Sequence, residues 1–240
     1  MHAGVATGGR AFYGASVGIL MLEAQFPRIP GDMGNALTWP FPVQFRVVPG
    51  ASPQVVVNEQ AAGLRAAFLQ AASELVADGC DGITTSCGFL SLLQSDLAQH
   101  VGVPVATSSL MQVQMVNALL PPGKRCGIVT VNANSLTRVH LQAAKVPLDT
   151  PIGGIESGIE LSRVLLGNET TLDVGKATHD VVDAARCLVA QHPDLGAIVL
   201  ECTNMPPYAA AVRAAVNLPV YDIVSFITWF QAGLMPRRFD

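Results

Sequence analysis

Short apolar runs alternate with longer stretches of helical spacing along almost the whole chain. The run at 16–22 (Ser-Val-Gly-Ile-Leu-Met-Leu) reads as a first strand, and 44–48 as a second, closed by Pro49-Gly50. From 58 to 78, Leu64, Phe68, Leu69, Ala72, Leu75 and Val76 recur at helical intervals, so one helix is expected there, stopped by Gly79. A strand at 82–86, a helix at 89–100 and a strand at 103–106 follow. Thr107-Ser108-Ser109 then caps a helix at 110–120 that Pro121-Pro122-Gly123 breaks. The order repeats: strand 126–131, a helix from Ser135 to about 145, a short strand at 152–156, and helices at 158–166 and 172–191. A strand at 197–200, a helix at 208–216 opened by two prolines, a strand at 218–221 and an apolar helix at 223–234 close the chain. Residues 1–15, with Gly4, Gly8, Gly9 and Gly14, carry no such pattern and read as irregular. Strand-helix alternation throughout predicts an α/β fold, built as a mostly parallel sheet in each half with helices on both faces.

Two segments share one layout. Asp81-Gly-Ile-Thr-Thr-Ser-Cys87-Gly-Phe-Leu is strand, cysteine, helix, and so is the stretch from Ala197 through Cys202 to the Ala-rich run after Tyr208. Val103-Pro104-Val105 and Leu218-Pro219-Val220 each place their proline 17 residues after the cysteine. The constant offset predicts two pseudo-repeated halves, 1–121 and 122–240, with the last helix of the first half free to pack on the other. Facing halves bring both thiols to one cleft. A strand end followed by a helix start is also where α/β sheets hold ligands, with backbone N–H groups open to an anion.

Half of the 240 residues are hydrophobic and 13% are charged, which fits a largely buried chain. A net charge of −4 provides no basic footprint for nucleic acid, and no apolar run is long enough to span a membrane. The five cysteines are odd in number and lack a Cys-x-x-Cys, which points to a reducing, cytoplasmic setting. Arg10 before the apolar 11–22 mimics a signal peptide, but Leu22-Glu23-Ala24 is a poor cleavage site. The five histidines do not cluster, no metal-ligand spacing occurs, and no phosphate-binding glycine motif is present, so no cofactor is expected. Residues 26–42 form a long Pro/Gly-rich loop whose Trp39 and Phe41 suit either a pinned surface segment or an active-site wall.

Leu200-Glu-Cys-Thr-Asn-Met-Pro206 resembles the second-cysteine motif, Leu-Gly-Cys-Thr-x-x-Pro, of the cofactor-independent aspartate/glutamate racemase superfamily. Ser86-Cys87-Gly88 stands where that superfamily has its first cysteine, followed there by Asn-Thr. The resemblance implies a two-half α/β fold with the site in the cleft, and Cys87 and Cys202 as acid and base on opposite faces of a substrate carbon. A thiol near ~8.5 is lowered by a helix N-terminus, and pKa values near the working pH favour general catalysis. It also implies substrate contacts from Ser86, Gly88, Thr203 and Asn204, and from Thr130 and Asn132 after the first strand of the second half. Cys80, Cys126 and Cys187 read as space-filling.

Several positions depart from the pattern. Asn204 stands where glutamate racemases have a histidine, Met21-Leu22 replaces Asp-Ser, and Gly88-Phe89 replaces Asn-Thr. Glu201 takes the place of a glycine; strand alternation points it away from Cys202, into a structural hydrogen bond. These departures argue against glutamate and for a less polar substrate. The expected function is a racemase or epimerase acting next to a carboxylate or carbonyl of an amino acid, a hydantoin or a related small molecule. Maleate isomerase-like or arylmalonate decarboxylase-like chemistry on the same fold is the alternative, as is a two-lobe module that binds without chemistry. Self-association is left open.

Overall fold

The computed structural model describes residue 5, residues 7–10 and 12–237, and residue 239. Of the irregular N-terminal stretch, residues 1–4, 6 and 11 lie outside the described residues, and the others there form no helix or strand.

The elements in chain order are β1 (Val17–Met21), β2 (Val43–Val47), α1 (Pro53–Asn58), α2 (Arg65–Ala77), β3 (Gly82–Thr85), α3 (Gln94–Val101), β4 (Val105–Ala106) and α4 (Val113–Leu119). They continue with β5 (Arg125–Thr130), α5 (Arg138–Ala143), β6 (Ile152–Gly154), α6 (Leu161–Leu166), α7 (Val174–Gln191), β7 (Leu195–Leu200), α8 (Ala209–Val216), β8 (Val220–Tyr221) and α9 (Ile223–Leu234). The strands form two parallel sheets of four, ordered β2-β1-β3-β4 and β6-β5-β7-β8. This is the α/β architecture the strand-helix alternation predicts, and the two sheets have the same topology.

Sequence dictates which strands are central. β1 and β3 are buried along their whole length, whereas β2, at the edge, is nowhere fully buried and leaves Phe45 and Val47 exposed. Strands covered by helices on both faces read as continuous apolar runs, and edge strands alternate. β5 and β7 are the central pair of the second sheet, in register from Cys126 opposite Ala197 to Val129 opposite Leu200.

The helix expected over 58–78 starts later, as α2 at Arg65, and a separate short helix, α1, precedes it at Pro53–Asn58. Gln60, Ala61 and Gly63 adopt left-handed φ values of 55°, 56° and 75°, which ends α1 and restarts the chain as α2. The apolar spacing that predicted the helix begins only at Leu64, the residue before α2, so the periodicity marks α2 and not the turn that precedes it. The helix after Ser135 begins later than expected, with Thr137 as its cap and His140 closing a capping box.

The halves exchange helices. Asn117 on α4 accepts from the backbone N–H of Cys126 on β5 at 2.7 Å. In return Ile223, Phe226 and Ile227 of α9 pack with Val17, Ile19 and Met21 of β1. Gly82 leaves room for Phe230 and Leu234 of α9 against β3. Among the described residues no helix is long and apolar enough to cross a membrane.

Candidate active site

In both sheets the chain leaves one central strand toward one edge and the next toward the other. Loops at the carboxyl ends of β1 and β3 therefore diverge, as do those after β5 and β7, and each divergence opens a crevice. The two crevices meet. Leu22 and Phe26 follow β1, Ser86 to Phe89 follow β3, Val131 follows β5 and Glu201 to Asn204 follow β7; all line one cavity. Pro53 and Val57 of α1 and Leu165 and Leu166 of α6 complete its wall. Its volume is ≈ 30 Å³, about one water molecule, so any larger substrate enters only as these walls part.

Cys87 and Cys202 both border this cavity and are buried, two residues past the ends of β3 and β7. Cys87 caps a 3-10 turn at Gly88–Leu93 in extended conformation. The Cys202 thiol donates to Asn204 Oδ1 at 3.5 Å. The seam between the halves is stitched by hydrogen bonds. Thr203 Oγ1 donates to the Ser86 carbonyl at 2.6 Å, and Ser109 Oγ donates to the Leu200 carbonyl at 2.8 Å. Thr203 and Ser86 thus fix the two cysteine turns against each other.

The remaining expected contacts divide. Gly88 and Asn204 line the cavity. Thr130 is buried but reaches it only through Glu201, donating to Oε2 at 2.7 Å. Asn132 is not on the cavity wall; its Oδ1 accepts from the N–H groups of Asn134 and Ser135, which is turn chemistry. Trp39 and Phe41 are not the apolar wall either. They pack against Met21 and Met33 behind β1, and Phe26 takes that place. Cys80 and Cys126 fill core space, but Cys187 is exposed on α7.

Glu201 makes the expected structural hydrogen bond, from Thr130, but does not point away from the cysteine. Its side chain is fully buried on the cavity wall, with Oε1 lying against the backbone of Gly88. A Cβ at position 88 would collide with that oxygen and with the Glu201 carbonyl, so only glycine fits there. Alternation along a strand separates neighbouring side chains, but past Leu200 the chain turns and both Glu201 and Cys202 reach the cavity. The usable signal was an acidic residue at the end of an apolar strand, paired with a glycine after the other cysteine. Asp32 also escaped the sequence. It is buried, pairs with Arg28 at 2.9 Å and accepts from Asn204 Nδ2 at 2.5 Å, which ties the 26–42 loop to the cysteine turn.

The two thiols differ in surroundings. Burial pushes Cys87 up to about 12, with the nearby Glu201 charge adding to it. The backbone N–H groups of Phe89 and Leu90 and the Arg28 guanidinium pull the other way. Cys202 is raised well above the ordinary thiol value by burial and by Glu201 and, less strongly, by Cys87 and Asp32; only the Asn204 backbone N–H opposes them. Glu201 itself is pushed up to about 7 by burial, against its Thr130 hydrogen bond. Both thiols are thus held protonated, and Cys87 is the one with more groups opposing the rise.

Solved structures with this fold include an arylmalonate decarboxylase, with a TM-score of 0.60 at 16% identity over 93% of this chain and 94% of that one. Allantoin racemase from Klebsiella pneumoniae has a TM-score of 0.60 at 22% identity, covering 91% of this chain and 87% of that one. Aspartate racemase from Picrophilus torridus has a TM-score of 0.55 at 12% identity, with 94% and 96% covered. The fold is that of the Asp/Glu/hydantoin racemase superfamily, as the cysteine motifs implied. No family model matches the chain. Among curated proteins, dimethylsulfoniopropionate lyase from Durusdinium sp. clade D is 30% identical over 237 residues, covering 92% of this chain and 75% of the relative. Dimethylsulfoniopropionate lyase 7 from Emiliania huxleyi is 31% identical over 240 residues, covering 92% and 67%. The chain belongs to the dimethylsulfoniopropionate lyase family, and it is a racemase-fold enzyme.

Proposed function

We propose that this chain is a lyase that eliminates dimethyl sulfide from dimethylsulfoniopropionate or a closely related β-sulfonium carboxylate. One observation carries the reading: in a member of this lyase family, two thiols from matching turns share one buried cavity. The Cys87 thiolate takes a proton from the carbon next to the carboxylate. That C–H electron pair becomes the C=C bond, and the C–S pair leaves on sulfur. Acrylate and dimethyl sulfide are released, and the proton stays on Cys87 until solvent removes it. Proton removal by a positioned group contributes on the order of 10²–10⁴ in rate. The sulfonium leaves as a neutral thioether, so no acid is needed for the leaving group. Cys202 keeps its proton and completes the polar wall opposite.

The racemase or epimerase reading stays as the second. It is favoured by the retained Cys202, which elimination does not strictly require, and it would use Cys202 as acid and Cys87 as base on opposite faces of a carbon. Incubation with dimethylsulfoniopropionate in deuterated water separates the two. Elimination predicts headspace dimethyl sulfide with stoichiometric acrylate. Absence of both, together with deuterium entering the stereocentre of a hydantoin or an amino acid, would replace the lyase reading by the racemase one.

A further inference from the structure

A buried carboxylate normally has a cation or several donors beside it, because taking an unpaired charge out of water is expensive. Glu201 has neither. Oε2 accepts from Thr130, while Oε1 has no hydrogen-bond partner among the described residues and lies on the cavity wall. The titratable groups around it give no compensation. Cys87 and Cys202 face it as thiols, and Asp32, behind Asn204, is itself acidic and already paired with Arg28. The cavity therefore carries an uncompensated acceptor. Its other walls, Leu22, Phe26, Val57, Phe89 and Leu165, are apolar, which suits methyl groups better than N–H donors. The polar side chains nearest by are engaged: Thr203 donates to Ser86, and Asn204 bonds both Asp32 and the Cys202 thiol.

We propose that Glu201 is the anionic half of a cation subsite that holds the onium end of the substrate, selecting a permanently charged, fully alkylated sulfonium or quaternary ammonium. A primary ammonium carries three N–H groups, and the wall offers one free acceptor, so most of its donors would be stranded. An onium carries none, and its methyl groups fill the apolar remainder. A neutral alkyl group would leave Oε1 uncompensated. The same pairing helps the chemistry: burial raises both thiols most, and a cation beside Glu201 offsets the part that the Glu201 charge adds, so the thiolate becomes more accessible when the right substrate is bound. The subsite deepens the elimination reading and rests on it for the identity of the molecule that brings the cation.

The test is calorimetric binding to the full chain of three probes: trimethylammonio-propionate, its neutral isostere with a quaternary carbon in place of nitrogen, and its primary-ammonium counterpart. The wild type is expected to bind the quaternary ammonium at least about tenfold more tightly than either other probe. Glu201→Gln is expected to bring quaternary ammonium and neutral isostere within about threefold of each other, with the isostere's own affinity little changed. Equal affinities in the wild type, no binding by any probe, or a preference that survives Glu201→Gln overturns the subsite. The wild-type comparison alone decides if the variant does not fold. Dimethyl sulfide release without an onium preference would sink the subsite and leave elimination standing. An onium preference without dimethyl sulfide release would do the reverse.

Discussion

The Cys87 turn and the Cys202 turn are the same device built twice, and their differences carry the chemistry. Each follows a central parallel strand by two residues and each opens a short 3-10 turn or its approach. Cys87 is followed by Gly88 and lies near two backbone N–H groups and Arg28. Cys202 is preceded by Glu201, followed by Thr203, and has one such N–H against the charges of Glu201 and Asp32. A duplicated fold gives two equivalent positions for a thiol; in the proposed elimination, residues before and after each cysteine make one the base and keep the other a thiol. Gly88 and Glu201 are complementary halves of that divergence, since the space a side chain would take in the first turn is filled by the carboxylate from the second.

Removing the device altogether has the largest expected effect. The double variant Cys87→Ser/Cys202→Ser should lower dimethyl sulfide release by about 10³–10⁴-fold while circular dichroism stays unchanged. Release at the wild-type rate would mean that neither turn supplies the reacting group.

Glu201 gives the next effect, on stability. Its folded pKa of about 7 lies above the ordinary carboxylate value of 4.5 because burial disfavours the charged form. Its contribution to stability is therefore fully present below about pH 4.5 and lost as pH rises through about 7, a swing of about 3 kcal/mol. Glu201→Gln should lack that swing, so the stability difference between variant and wild type should move in the variant's favour as pH rises across this window in urea titrations. His140, held down to about 4 by burial, changes stability in the opposite sense but equally in both proteins, so it cancels. A pH-independent difference between them would mean that Glu201 titrates alike in the folded and unfolded protein, so that burial does not raise it.

Position-specific changes after each cysteine sharpen the comparison further. Gly88→Ala forces a Cβ onto Glu201 and should cost about 1–3 kcal/mol. Thr203→Val, the matching position in the second turn, loses the single bond to Ser86 and should cost about 1 kcal/mol. Thermal unfolding of both reads the order, and a better tolerated Gly88→Ala would contradict the packing of the two turns.

Much of this was legible in the sequence where one residue type constrains the backbone by itself. Apolar runs located β1, β5 and β7, the layout shared by the two cysteine segments located β3 and exposed the duplication, and α9 ran over the span that its apolar pattern predicted. What was hidden depended on pairs distant in sequence. The break between α1 and α2 rests on left-handed Gln60 and Ala61, residue types that do not announce it. That α9 covers β1 follows from which apolar face was left open, and no local pattern records that. Glu201 looked structural because its partner across the cavity, Gly88, is 113 positions earlier in the chain.

The asymmetry of the two turns is the central claim, and dimethyl sulfide release by Cys87→Ser and Cys202→Ser, measured side by side at saturating dimethylsulfoniopropionate, tests it most directly. Cys87→Ser should lose release by at least about 10³-fold, because a hydroxyl cannot replace the thiolate base. Cys202→Ser should lose only about tenfold, because it removes a polar wall and leaves the base in place. The reverse order, with Cys87→Ser active and Cys202→Ser inactive, would contradict the account.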